Sequence, residues 1–190
     1  MSVAVDQRGR ILDAALRLMA EQGSVGASMR QLAAACDLNV ATIYHYFPSK
    51  AELLESVVRE RRYGERLASD PPPLDPAVPA GDRLVALLDW LWANALEEQA
   101  VWRLIVGEAV RGEVAATAAA AEVVELLGGT LETWLEAGFP ELTGDRTALA
   151  RVIRGQVFAL VVEHLALGGV TTEIAHERAE ELARVVVRSD

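Results

Sequence analysis

The stretch from Ser28 to Lys50, SMRQLAAACDLNVATIYHYFPSK, gathers the side chains best suited to chemistry. Asn39, Ala41, Thr42, Tyr44, His45 and Tyr46 are small, hydroxylic or aromatic with hydrogen-bonding tips, a mixture that suits a helix laid in a DNA major groove. Small residues permit close approach. Tyrosine hydroxyls and an imidazole can donate to phosphate oxygens, and tyrosine ring faces can touch thymine methyl groups. Lys50 is the only lysine beside seventeen arginines. Helices starting at Ser28 and at Ser49 would add free backbone N–H groups and the positive end of a helix dipole, both favourable to phosphate. This is binding chemistry rather than catalysis. The chain has no Gly-x-Ser-x-Gly elbow, no glycine-rich phosphate loop and no His-Glu-x-x-His, and its single cysteine, Cys36, has no evident base partner.

Short helices must position these residues. Ile11, Leu12, Ala15, Leu18 and Met19 mark the buried stripe of a first helix, and Gly23 suits the left-handed position after it. Ser28 followed by Gln31 is a capping-box pattern for a helix from about Met29 to Cys36. Asn39 can cap another running to about Tyr46. Ser49 with Glu52 forms a second capping box, opening a long helix toward Ala68. Leu32, Ala33, Leu38, Ile43 and Phe47 would pack this hairpin onto the first helix.

Charge follows the same division. The whole chain of 190 residues carries a net charge of -10. Residues 1 to 66 hold nine basic and eight acidic side chains, and between Gln22 and Ala51 the only carboxylate is Asp37. That local scarcity leaves a surface free to approach phosphates.

The segment resembles the helix-turn-helix of the TetR (tetracycline-repressor) family of bacterial transcriptional regulators. The residues that carry the resemblance are Gly23, Ser28, Leu32-Ala33, Leu38-Asn39, Tyr44, Tyr46-Phe47, Ser49-Lys50 and Leu53-Leu54. The family's usual glycine at the turn is Asp37 here, the serine opening the third helix is Asn39, and a common glycine is Ala41. The resemblance implies that Ser28 and Arg30 contact the DNA backbone, that Asn39, Ala41, Thr42, Tyr44, His45 and Tyr46 face the groove or its walls, and that Lys50 holds a phosphate.

The expected architecture is all-α with about nine helices. Residues 1–48 form a three-helix DNA-binding domain, and 49–190 form a larger helical effector-binding and dimerisation domain. The latter opens with a connecting helix, 49–68, and a proline-rich connector, 70–81, which holds five of the seven prolines. Further helices are expected from Asp82 to Gln99, Val101 to Val110, Val114 to Ala137, Asp145 to Leu167 and Thr172 to Arg188.

Aromatic and polar residues of this second part, Trp90, Trp102, Arg103, Glu108, Trp134 and Phe158, are candidates for lining a pocket for an apolar or aromatic effector. A buried Glu or His needs a partner, which draws attention to Glu108 and to Glu163-His164. The segment Gly155 to Leu167 is apolar around nearly its whole circumference. Together with a stripe on the last helix, it makes Ala159, Val162, Glu163, Ala166, Leu167, Ala175, Ala179, Leu182 and Val186 the candidate interface of a homodimer, which the resemblance implies. No cofactor is expected. The ligand types of His164 and His176 suit zinc, but no ligand spacing supports a metal site.

One cysteine points to a reducing compartment, and the absence of a long apolar run points to a cytoplasmic protein. The expected function is that of a regulator, a repressor that leaves a palindromic double-stranded operator when an effector binds. The rival is a helical ligand-binding or adaptor protein with weak or lost DNA binding.

Overall fold

In the computed structural model the backbone is described for residues 3–60, 72, 74–142 and 144–187. Nine helices and no strand occur among them: α1 (Val3–Gly26), α2 (Met29–Ala35), α3 (Val40–Tyr46), α4 (Lys50–Glu60), α5 (Ala80–Glu97), α6 (Gln99–Val110), α7 (Val114–Gly138), α8 (Arg146–Leu167) and α9 (Thr172–Val186). The expected continuation of α4 over 61–68, and residues 70, 71 and 73 of the proline-rich connector, lie outside the described residues.

The short helices owe their boundaries to local hydrogen bonds. The Ser28 hydroxyl oxygen accepts from the Gln31 N–H at 3.2 Å while Gln31 Oε1 accepts from the Ser28 N–H at 2.9 Å, which completes the capping box of α2. Asn39 Oδ1 accepts from the Thr42 N–H at 2.7 Å and from the Thr42 hydroxyl at 2.9 Å, starting α3. Ser49 Oγ accepts from the Glu52 N–H at 3.1 Å at the head of α4. Asp145 and Thr171 cap α8 and α9 in the same way. Each such cap stabilises its helix by about 1 kcal/mol, a large share of what a seven-residue helix can muster alone.

Two glycines carry positive φ with different results. Gly168 (φ 67, ψ 10) is left-handed and ends α8, its N–H donating to the His164 carbonyl at 2.9 Å. Gly23 (φ 73, ψ 161) lies outside the left-handed helical region expected for it. It breaks α1 with a kink, after which the chain makes one more turn to Gly26. Between α2 and α3, Asp37 takes the left-handed role usually left to glycine, with φ 56.

The chain packs as two compact units, Met1–Arg62 with Ala100–Glu122, and Tyr63–Gln99 with Val123–Asp190. In the first, α1 packs on α2 and α4, and α2 on α3. Ile11, Leu32, Ile43, Phe47 and Leu53 are fully buried there, each contributing about 1.5–3 kcal/mol by leaving water. In the second, α5 packs against both α8 and α9. Leu84, Leu87, Trp92, Leu131, Leu135, Phe139 and Ile153 fill its core. There the buried Arg83 lies over the Phe139 ring, 5.1 Å from its centroid, and pairs with Glu141.

Candidate nucleic-acid interface

The placement of α3 follows from its two kinds of side chain. Ile43 is fully buried within α3 and Phe47 just beyond it, so the helix is held by that side. Asn39, Ala41, Tyr44 and His45 consequently stand exposed, Tyr44 with 48% of its surface free. Thr42 and Tyr46 are half-buried. The Tyr46 hydroxyl donates to Gln7 Oε1 of α1 at 3.4 Å, and its ring meets His45 edge-on, with centroids 5.5 Å apart. Arg8 caps this region from α1, its guanidinium 4.9 Å from the Phe47 ring centroid and paired with Glu60.

Several expected contact residues are partly spent on the protein itself. Ser28 both accepts from and donates to Gln31, and Asn39 Oδ1 is taken by Thr42, which leaves its amide N–H₂ as the group to offer. Lys50, expected on a phosphate, donates instead to the Val25 carbonyl at 3.0 Å. An ammonium has three donors, so that bond fixes the side chain at the interface without exhausting it. Arg30 and Asp37 are exposed.

The residues expected to line an effector pocket divide between the two units. In the first, Trp102 is buried, Arg103 is exposed, and Glu108 is 2% exposed. Glu108 holds protein groups rather than facing a vacant site: its carboxylate accepts from the Ser24 N–H at 2.8 Å, the Ser24 hydroxyl at 2.6 Å and Arg111 at 2.6 Å. Burial opposes its charge, and the Ser24 and Arg111 bonds outweigh it, so Glu108 titrates below the ordinary glutamate value. In the second unit, Trp90 and Trp134 do come together, edge to face at 5.3 Å. Phe158 is 46% exposed, which removes it from an interior wall of its own unit. Trp92 turns the other way from Trp90, against His164 at 5.6 Å. A groove of about 190 Å³ opens where α8 begins and α9 ends, lined by Leu142, Gly144, Asp145, Arg146, Leu149 and Val186.

The candidate dimer residues divide as well. Ala175 and Ala179 are buried on α9, the helix that packs on α5, so their stripe serves this chain's own core. Periodicity revealed a buried face and could not name what buries it. Glu163 makes a two-pronged ion pair with Arg178 of α9, at 2.6 and 3.1 Å, which ties α8 to α9 internally. Val162, Leu182 and Val186 are half-buried, Val186 in the groove just described, whereas Ala159, Ala166 and Leu167 stand exposed on α8. His164 meets the Val170 carbonyl at 3.0 Å and His176 meets Asp89 at 2.7 Å, so each imidazole already has a protein partner. Of the partners of Glu108, Arg111 lies only three residues on, a spacing at which helical side chains meet, whereas Ser24, 84 residues away, had no signal in the sequence.

No described helix is long and apolar enough to cross a membrane. Residues 11–57 match the family described as bacterial regulatory proteins, tetR family. The chain is 30% identical over 174 residues to the HTH-type transcriptional repressor KstR of Rhodococcus jostii (strain RHA1), covering 90% of this chain and 78% of that protein. Its fold is shared with a TetR-family transcriptional regulator from Mesorhizobium loti (TM-score 0.76, 19% identity, 98% of this chain and 97% of the other). It is shared also with a transcriptional regulator from Saccharomonospora viridis solved in complex with choline (TM-score 0.71, 20% identity, 94% and 95%).

Proposed function

The chain belongs to the tetR family of bacterial regulatory proteins and is a DNA-binding transcriptional regulator, not an enzyme; from that premise we propose that it is a homodimeric repressor released from a palindromic operator by a small molecule. Residues 1–48 read the DNA, and 49–190 hold the effector and the second protomer. The observation that carries this reading is the outward face of α3. Ala41, Tyr44 and His45 stand exposed around a buried Ile43, in a stretch whose only carboxylate is Asp37. Thr42 and Tyr46 flank them, and Asn39, Arg30, Ser28 and Lys50 border the same region. Repression is supported by the name of the Rhodococcus relative, and an effector by the choline complex of a protein with the same fold. For the effector we retain Trp90 and Trp134, the aromatic pair that meets within the second unit.

Dimerisation is supported by the exposed Phe158, Ala159, Ala166 and Leu167 of α8. One helix-turn-helix gives little affinity, and two copies related by a twofold axis span a palindrome. An effector shifts the equilibrium only by binding one form more tightly, so release requires preference for the form whose recognition helices are wrongly spaced.

The test is selection of genomic fragments by the purified protein, sequenced for a shared palindrome, followed by affinity measurements on the recovered site. Tyr44→Ala is expected to weaken binding by about 1–3 kcal/mol with the dimer intact. Unchanged affinity rejects the placement of α3 in the groove. Binding should also fall steeply with salt, because phosphate contacts release counterions. A flat salt response, or none bound, favours the adaptor reading.

A further inference from the structure

The corner between α1 and α2 is gripped from outside by three side chains. Gly23 turns the peptide out of helical register with φ 73 and ψ 161, a conformation essentially confined to glycine, and thereby presents the Ser24 N–H to a partner other than the helix ladder. Glu108 of α6 supplies that partner and takes the Ser24 hydroxyl with its other oxygen, at 2.8 and 2.6 Å. Arg111, which bonds the same carboxylate, lies against Gly23, its guanidinium 3.4 Å from where a Cβ would sit. Lys50 holds the next carbonyl along, that of Val25. Residues 23–25 are therefore fixed by α6 and by the head of α4, and only three residues separate Val25 from Met29, where α2 begins.

We propose that Glu108 is a positioning residue for DNA binding: anchored on α6, it clamps the main chain at Ser24 and so fixes where α2 and α3 are presented. The clamp acts on backbone as well as side chain, and this distinguishes it from an ion pair that only adds stability. A buried N–H deprived of its acceptor must find another or reach water, and either course moves the corner. Arg111 is half exposed and can follow a displaced carboxylate, whereas Glu108 is enclosed.

The inference rests on the DNA-binding reading, and its test separates the two. Ser24→Ala, Ser24→Thr, Glu108→Gln and Glu108→Ala are compared in the full chain by affinity for the selected fragment, unfolding midpoint and amide hydrogen exchange without DNA. Glu108→Ala is expected to weaken binding about tenfold or more, and Ser24→Ala by a smaller factor. The double variant should bind no more weakly than Glu108→Ala, since both changes break one contact. Ser24→Thr, which keeps the hydroxyl, should recover most of the affinity, and Glu108→Gln should fall between wild type and Glu108→Ala. Exchange should rise selectively over residues 24–46 in the weakened variants. Should Glu108→Ala fail to fold, Ser24→Ala, the loss of one oxygen, carries the test. The proposal is overturned if Ser24→Ala and Glu108→Gln bind as wild type does, if Ser24→Thr is as weak as Ser24→Ala, or if exchange over 24–46 stays unchanged. If the wild type selects no DNA, the DNA-binding reading fails at that step, and exchange alone decides whether the clamp holds the corner.

Discussion

α3 and α8 each leave a face uncovered within the chain, and the two faces are chemically opposite. On α3 the exposed side chains are Asn39, Ala41, Tyr44 and His45. On α8 Val152, Ala159 and Ala166, seven residues apart, form an exposed stripe, with Phe158 and Leu167 exposed to either side of it, Leu167 at 78%. A polar and aromatic face loses little in water and can exchange hydration for phosphate and base edges. An apolar face gains by leaving water, and contiguous apolar surface on a folded protein marks a place where something else packs. The first face is suited to a hydrated polyanion, and the second is the one that the proposed dimer would cover. The two also differ in how they are built. All four helices carry side-chain caps, but for the seven-residue α2 and α3 the caps at Ser28 and Asn39 are a larger share of what holds them than those at Asp145 and Thr171 are for α8 and α9, which also pack against α5.

The largest effect expected from this contrast comes from charging the apolar face. Phe158→Asp places a carboxylate where two protomers would meet, and sedimentation at micromolar concentration should show monomer in place of dimer. Ala179→Leu, on the face already packed within the chain, should leave association intact and lower unfolding stability by about 1–3 kcal/mol through overpacking. A dimer lost with Ala179→Leu and retained with Phe158→Asp would reverse the assignment of the two faces.

A smaller effect is expected at the caps. Asn39→Ala removes the acceptor for the Thr42 N–H and hydroxyl and should cost about 1 kcal/mol in urea unfolding. Operator affinity should drop further than that loss alone explains, because α3 is the element presented to DNA. Equal wild-type stability would show that α3 is held by tertiary contacts and not by its cap.

The smallest effect is a pH dependence on the packed side. The hydrogen bond and charge of Asp89 raise the pKa of His176 above the ordinary histidine value. A raised folded-state pKa stabilises the fold fully at pH values below the unfolded value of about 6.5, and this stabilisation is lost as pH rises through the folded value. His176→Gln should therefore lower the unfolding midpoint at pH 5.5 and change it little at pH 8.5. The opposite order, or no pH dependence in the difference, would mean that the exposed pair between α9 and α5 contributes nothing in solution.

These contrasts also explain what could be read from the chain alone. The helix starts at Ser28, Asn39 and Ser49 are local events, made by side-chain oxygens that accept from N–H groups three residues on, and so they are visible in the sequence. The buried positions Ile43, Phe47 and Leu32 were visible for the same reason, through their spacing. Partners distant in sequence were not. The stripe of Ala175 and Ala179 could be recognised as buried, but α5 as its partner could not. Glu108 stood out as a carboxylate among apolar neighbours, yet nothing near it in the chain pointed to Ser24. Gly23 was recognisable as a break, while its ψ, which turns the backbone toward Glu108, depends on the packing of α6.

The solitary lysine has a practical consequence. Apart from the α-amino group, Lys50 is the one primary amine the protein presents to acylating dyes or aldehyde cross-linkers, and it sits at the head of α4 with its Nζ on the Val25 carbonyl. Under the proposed phosphate contact of Lys50, its amine labelling would be a footprint of the operator, falling when DNA covers it. Formaldehyde mapping of the protein's sites along a chromosome would draw most heavily on that side chain, and Lys50→Arg is expected to weaken the cross-link while keeping the positive charge.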